Sequence, residues 1–122
     1  MVKSTRVKKN KLFNSVIKGI ISKKGQDIVS IDIRGTGAGI CDYFILCNGT
    51  SRTHVEAIAD SVEETVKKQV GEKPWHIEGY QNAEWILIDY IDIVVHIFKP
   101  EIRNFYQLEK LWGDGIIEYI NE

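Results

Sequence analysis

Asp89 and Asp92 are the first residues of this 122-residue chain that could do chemistry, because two neighbouring carboxylates can hold a divalent cation. Their spacing argues against it. Side chains alternate across a strand, so a two-metal site built on a single strand wants acids two residues apart on one face, and the chain contains no Asp-x-Asp. The three histidines are scattered: His54 beside a helix start, His76 in a short strand and His96 in a long apolar run. Nothing in the sequence sets any of them beside a nucleophile. Cys41 and Cys47 lie six residues apart on what reads as one strand, pointing the same way about 20 Å apart, so they cannot pair with each other. No Cys-x-x-Cys or Cys/His cluster suggests zinc. The alternating glycines of Gly35 to Gly39 invite comparison with a phosphate cradle, yet strand-like residues Ile40 to Cys47 follow where the cradle needs a helix N-terminus. No catalytic, cofactor or metal site is therefore expected, and the chain does not read as an enzyme.

The stretch that must position any site runs from Trp85 to Phe98, almost unbroken in apolar and β-branched residues. It reads as a β-hairpin with Tyr90-Ile91 at the turn. That register pairs Asp89 with Asp92, Ile88 with Ile93, Leu87 with Val94, Ile86 with Val95 and Trp85 with His96. One face then carries Ile86, Ile88, Ile93, Val95 and Ile97 and belongs in a core. The other carries Trp85, Leu87, Asp89, Asp92, Val94, His96 and Phe98, a mixture suited to a protein partner. A sheet buried on both sides under helices, with His96 a satisfied core histidine, would use the same residue types. Tyr90-Ile91 lacks the Gly or Asn of a tight hairpin turn, so a longer loop around Asp89 to Asp92 is an alternative.

Composition and charge narrow the class. At 43% hydrophobic with two prolines, the chain is long enough to bury a core without metal or disulfide staples. No apolar run approaches the roughly 20 residues of a membrane span, and the charged start has no adjacent signal-peptide core, so a cytoplasmic protein is expected. The formal charge of -1 hides an asymmetry. Residues 1 to 24 hold eight of the 16 Lys and Arg and no acid; the remainder sets eight bases against all 17 acids, a balance of -9. An acidic body repels nucleic-acid phosphates and attracts a basic protein, so little direct nucleic-acid contact is expected.

In chain order, residues 1–9 read as flexible. A helix with Asn10 as its N-cap follows, its stripe made by Leu12, Phe13, Val16, Ile17, Ile20 and Ile21, and Gly25 stops it. Strands are expected over Asp27 to Ile33 and Asp42 to Cys47. Ser51 or Thr53 then caps a helix whose stripe is Val55, Ile58, Ala59, Val62, Val66 and Val70, and Thr53-His54-Val55-Glu56 has capping-box spacing. Trp75 to Glu78 is a short strand, so Tyr43 to Glu78 forms a candidate strand-helix-strand crossover in a mixed sheet. After the hairpin, Pro100 opens a helix through Ile102, Phe105, Tyr106, Leu108, Leu111 and Trp112, closed by Gly113. The expected fold is a single α/β domain of the α+β kind, a mixed five-stranded sheet flanked by helices, with residues 114–122 as a tail.

These residues form a recognisable order. Asp42-Tyr43-Phe44-Ile45-Leu46-Cys47-Asn48-Gly49-Thr50-Ser51, His54-Val55, Glu78-Gly79-Tyr80, Glu84-Trp85-Ile86-Leu87-Ile88-Asp89-Tyr90, Asp92-Ile93-Val94-Val95-His96-Ile97-Phe98 and Phe105-Tyr106-Gln107-Leu108-Glu109-Lys110-Leu111-Trp112 resemble the ribosomal silencing factor family, also called iojap-like proteins. The resemblance spans residues 10–113. It implies a fold similar to the nucleotidyltransferases without their catalytic acids. It also implies binding to the large ribosomal subunit through the universal large-subunit protein fourteen, and a steric block to joining of the small subunit that represses translation.

On that resemblance the partner-binding residues are expected to be Trp85, Leu87, Asp89, Tyr90, Asp92, Val94, His96 and Phe98, flanked by Tyr106 and Trp112. Glu84, Asp89, Asp92, Glu101 and Glu109 would complement a basic ribosomal protein. No membrane partner is expected, and an exposed Trp85 face could also make a homodimer when no ribosome is present. The chain departs from the family pattern at Ile91, where glycine is common. A nucleotidyltransferase-like enzyme and an RNA-binding module using the basic first helix are the alternatives.

Overall fold

The computed structural model describes residues 2–37, 39–111 and 114–120, and the side chains of all of these except 2–9 and 105. The elements are α1 (Val2–Ser22), β1 (Gln26–Asp32), a 3₁₀ turn (Arg34–Thr36), β2 (Tyr43–Asn48), α2 (Arg52–Gln69), β3 (His76–Glu78), β4 (Trp85–Asp89), β5 (Ile93–Phe98), α3 (Pro100–Tyr106), α4 (Leu108–Leu111) and β6 (Ile116–Tyr119). The strands form one mixed sheet in the order β3-β4-β5-β2-β1-β6. β2 and β5 run parallel, and every other neighbouring pair is antiparallel.

The sheet has six strands where five were expected. The sixth is β6, in the segment read as a tail, whose Ile117 pairs with Ile31 and Tyr119 with Val29 at the edge. A four-residue strand with three exposed residues carries too weak an alternation to be read from sequence. Helix α1 begins at Val2, so Asn10 lies within it and does not cap it. The single C-terminal helix is two short ones, because Gln107 takes up a left-handed conformation (φ 47°) and its N–H bonds the Arg103 carbonyl. Cys41 precedes β2 and packs on one side of the sheet while Cys47 is buried on the other, so the two thiols do not point the same way; both are free. The strand-helix-strand unit exists, but β3 lies three places from β2, with β5 and β4 between them.

Alternation sorts the sheet into two unlike layers. Ile28, Ile45, Cys47, Ile86, Ile88, Ile93, Val95 and Ile97 meet α1 and α2 through Leu12, Val16, Ile20, Val55, Ile58, Val62 and Val66. The two helices touch so closely that a Cβ on Gly19 would lie 2.8 Å from Val62 Cα, and the Ser61 hydroxyl donates to the Gly19 carbonyl at 2.8 Å. At the N-terminus of α2, the extended Ser51 caps with Oγ, accepting from His54 N–H at 3.1 Å. His54 stands three residues after the cap, and its Nδ1 accepts from the N–H of Thr50, the residue before the cap, at 2.8 Å. Nε2 then carries the proton and donates to the Lys23 carbonyl at 2.7 Å, tying the end of α1 to the start of α2. Among the described residues, no helix is long and apolar enough to cross a membrane.

Candidate docking surface

The second layer is where the sequence placed its mixed face. Val29, Ile31, Ile33, Phe44, Leu46, Val94 and Phe98 are buried there, with Cys41, Trp85, Leu87, Ile102, Leu108 and Ile117 partly buried around them. Among the described residues no long helix covers this layer; the helices that reach it are the short α3 and α4, through Ile102 and Leu108.

The hairpin pairs Trp85 with Phe98, Ile86 with Ile97, Leu87 with His96, Ile88 with Val95 and Asp89 with Val94. Every pair is displaced by two residues from the expected register. An even displacement leaves each side chain on its expected face, which is why the division into faces holds although the pairing does not. The displacement is absorbed by a longer loop, Tyr90 to Asp92. Asp89 Oδ1 accepts from Ile91 N–H at 2.7 Å, Asp92 N–H donates to the Tyr90 carbonyl at 2.9 Å, and Ile91 sits between them at φ 76°. An i→i+2 bond around a positive-φ residue is the strained form of γ-turn.

An aromatic group dominates the open face. The Trp85 ring centroid lies 5.0 Å from Phe98 and 4.9 Å from Tyr106, and its Nε1–H donates to His96 Nδ1 at 3.1 Å. Trp85 and Leu87 are half-buried, whereas Tyr106 is 51% exposed. Val94, His96 and Phe98 are on the expected face but buried, so they support the surface and do not form it. Tyr90 is a correction: it is buried among the α1/α2 core residues, on the side away from Trp85. Asp89 and Asp92 are half-buried, with Asp89 engaged in the turn. Trp112 lies outside the described residues.

The acidic groups expected to complement a basic partner also need revision. Glu101 pairs with Lys99 at 2.8 Å, and Glu109 pairs with Arg103 at 2.9 Å, so neither presents an uncompensated charge. Arg103 was not singled out in the sequence. It is buried, and besides Glu109 its Nη1 donates to the Asp27 carbonyl at 2.6 Å and to Asn48 Oδ1 at 3.0 Å. One guanidinium thus fastens α3 and α4 to β1 and β2, and a basic residue among apolar neighbours Ile102 and Phe105 was its only signal. Gly79 entered above only within the motif Glu78-Gly79-Tyr80. At φ 96°, a Cβ on it would fall 2.0 Å from the Trp85 carbonyl oxygen, so a bare backbone is required beneath the tryptophan's own strand.

A model of the family described as "Ribosomal silencing factor during starvation" matches residues 6–121. The chain belongs to the ribosomal silencing factor family. It is 38% identical over 104 residues to the ribosomal silencing factor RsfS of Halalkalibacterium halodurans, covering 85% of this chain and 87% of that one. A crystal structure of a Chromobacterium violaceum protein superposes with a TM-score of 0.80 at 32% identity, over 85% of each chain. A more remote relative, 36% identical over 73 residues, is the mouse "Mitochondrial assembly of ribosomal large subunit protein 1", matched over 58% of this chain and 32% of that one. The match to ribosomal silencing factors takes in the whole Trp85 hairpin and α3, so the aromatic face is part of the family domain. Among the described residues, no three of His, Cys, Asp and Glu converge as metal ligands.

Proposed function

We propose that this chain represses translation by binding the large ribosomal subunit through its universal protein fourteen and blocking the small subunit sterically. The observation that carries the reading is the aromatic face: a half-buried tryptophan beside an exposed tyrosine, on a sheet layer that lacks the long-helix cover of its opposite side. Membership of the ribosomal silencing factors supports the ribosome as the partner, and the cytoplasm is the proposed site of action. Trp85, Leu87 and Tyr106 form the contact, with Asp92 and Glu84 at its rim and Val94, His96 and Phe98 beneath it. The mechanism requires no bond chemistry. A folded domain held at the intersubunit face occupies volume that the small subunit needs.

Truncating a buried interface tryptophan costs about 2 kcal/mol or more, near thirtyfold in affinity. Trp85→Ala is expected to keep its circular dichroism spectrum and lose co-sedimentation with isolated large subunits at limiting concentration. Unchanged co-sedimentation overturns the docking reading. Subunit reassociation on a gradient tests the second half: if joining proceeds normally with the protein saturating the large subunit, the steric block is wrong even though binding is real.

A further inference from the structure

We infer that His96 is a positioning residue for docking: its Nδ1 fixes the indole of Trp85 in the orientation the partner meets. The inference rests on the docking reading above.

The indole has one polar atom, and that atom is committed, because Trp85 Nε1–H donates to His96 Nδ1 at 3.1 Å. An anchor is useful only if it is itself held, and His96 is. Its ring stacks at 11° on Phe98 with centroids 5.9 Å apart, meets Phe44 edge-on at 5.2 Å, and is 5% exposed. The register explains the pairing. His96 stands directly opposite Leu87 and diagonal to Trp85, within reach of an aromatic side chain on the same face.

The proton arrangement shows that packing alone does not account for a histidine here. With Nδ1 accepting, the neutral ring carries its hydrogen on Nε2. That nitrogen is buried and has no hydrogen-bond partner among the described residues. A phenylalanine would fill this space without leaving a buried donor unmatched. What phenylalanine lacks is the acceptor at Nδ1. The benefit of the histidine is therefore the orientation of an indole whose remaining contacts are apolar, on a face that no long helix among the described residues covers.

Two conservative variants separate the ring nitrogens. The amide of asparagine reaches the place of Nδ1, and that of glutamine reaches the place of Nε2. Affinity for purified large subunits is measured by titration for His96→Asn, His96→Gln and His96→Phe, together with the indole N–H resonance of Trp85 in ¹⁵N-tryptophan-labelled protein. His96→Asn is expected to bind within about twofold of the unmodified chain and to keep the resonance. His96→Phe and His96→Gln are expected to bind about five- to tenfold more weakly, the loss of one hydrogen bond, with the resonance moved. In a Trp85→Phe background, His96→Phe should have no further effect on affinity.

The inference is overturned if His96→Phe binds like the unmodified chain, or if glutamine restores binding and asparagine does not. Should His96→Phe fail to fold, the asparagine and glutamine pair decides by the same criterion. Trp85→Ala keeps the two readings apart. If it binds normally, the docking surface is wrong; if it binds weakly while His96→Phe binds normally, only the positioning role is lost.

Discussion

At His96 burial holds the ring neutral, pushing its pKa down to about 4 from an ordinary 6.5. The unfolded chain therefore binds a proton that the folded chain refuses between those two values. Stability from this group is complete above about pH 6.5 and declines as pH falls towards 4, by about 3 kcal/mol in all, to order of magnitude. Urea midpoints measured across that window should slope downward for the unmodified chain and more gently for His96→Asn, which cannot titrate. Ile91 makes a second residue-scale prediction. A β-branched residue at φ 76° is strained by about 1–2 kcal/mol, against an entropic penalty of about 0.5–1 kcal/mol for a glycine in its place. Ile91→Gly should raise the urea midpoint by the equivalent of about 1 kcal/mol or less, while Ile91→Val should not.

Between residue and molecule, two contacts hold the elements that carry the aromatic face. Gly79→Ala would force β4 away from the turn that follows β3, because the new methyl collides with backbone at Trp85 and not with a side chain that can rotate. A loss of about 2–4 kcal/mol is expected in chemical denaturation, with the near-ultraviolet signal of tryptophan altered. Arg103→Ala would leave Glu109, Asn48 and the Asp27 carbonyl without their shared partner. Glu109 keeps 30% of its side chain in solvent, so the loss comes mainly from the buried acceptors on β1 and β2, about 2–3 kcal/mol. Hydrogen exchange in α3 and α4 should accelerate more than in α2, whose Ser51 cap and packing on α1 do not involve Arg103.

Across the whole molecule, charge shapes association more than contact. Residues from 25 onward carry a formal -9, yet Glu101 and Glu109 close to the docking face are matched by Lys99 and Arg103. The long-range field is acidic while the contact itself is mainly apolar. Raising salt should therefore slow association with the large subunit and leave dissociation nearly unchanged, which stopped-flow and chase experiments would separate. Acceleration of dissociation with salt in proportion would place uncompensated charges inside the contact.

The sequence alone determined the two faces of the Trp85 to Phe98 hairpin and the apolar stripes of α1 and α2, because each depends on local spacing; it left the cap of α2 between Ser51 and Thr53, and the structure chose Ser51. Strand alternation survives a register error of two, so the faces were legible although the pairing was not. Membership of the ribosomal silencing factors was legible for a different reason: the motifs lie in order along the chain. Depth was not legible. Whether Val94, His96 and Phe98 reach solvent depends on how rings from three strands and α3 lean together, whereas Tyr90 follows Ile86 and Ile88 in the alternation and so lies on the side covered by α1 and α2. The anchoring by Arg103, its partners 76 and 55 residues away, exists only once the sheet has brought β1 and β2 beneath α3. The indole held on His96 at the centre of the aromatic face is likewise a product of the tertiary structure, since the hydrogen bond joins two strands whose register the residue types left open.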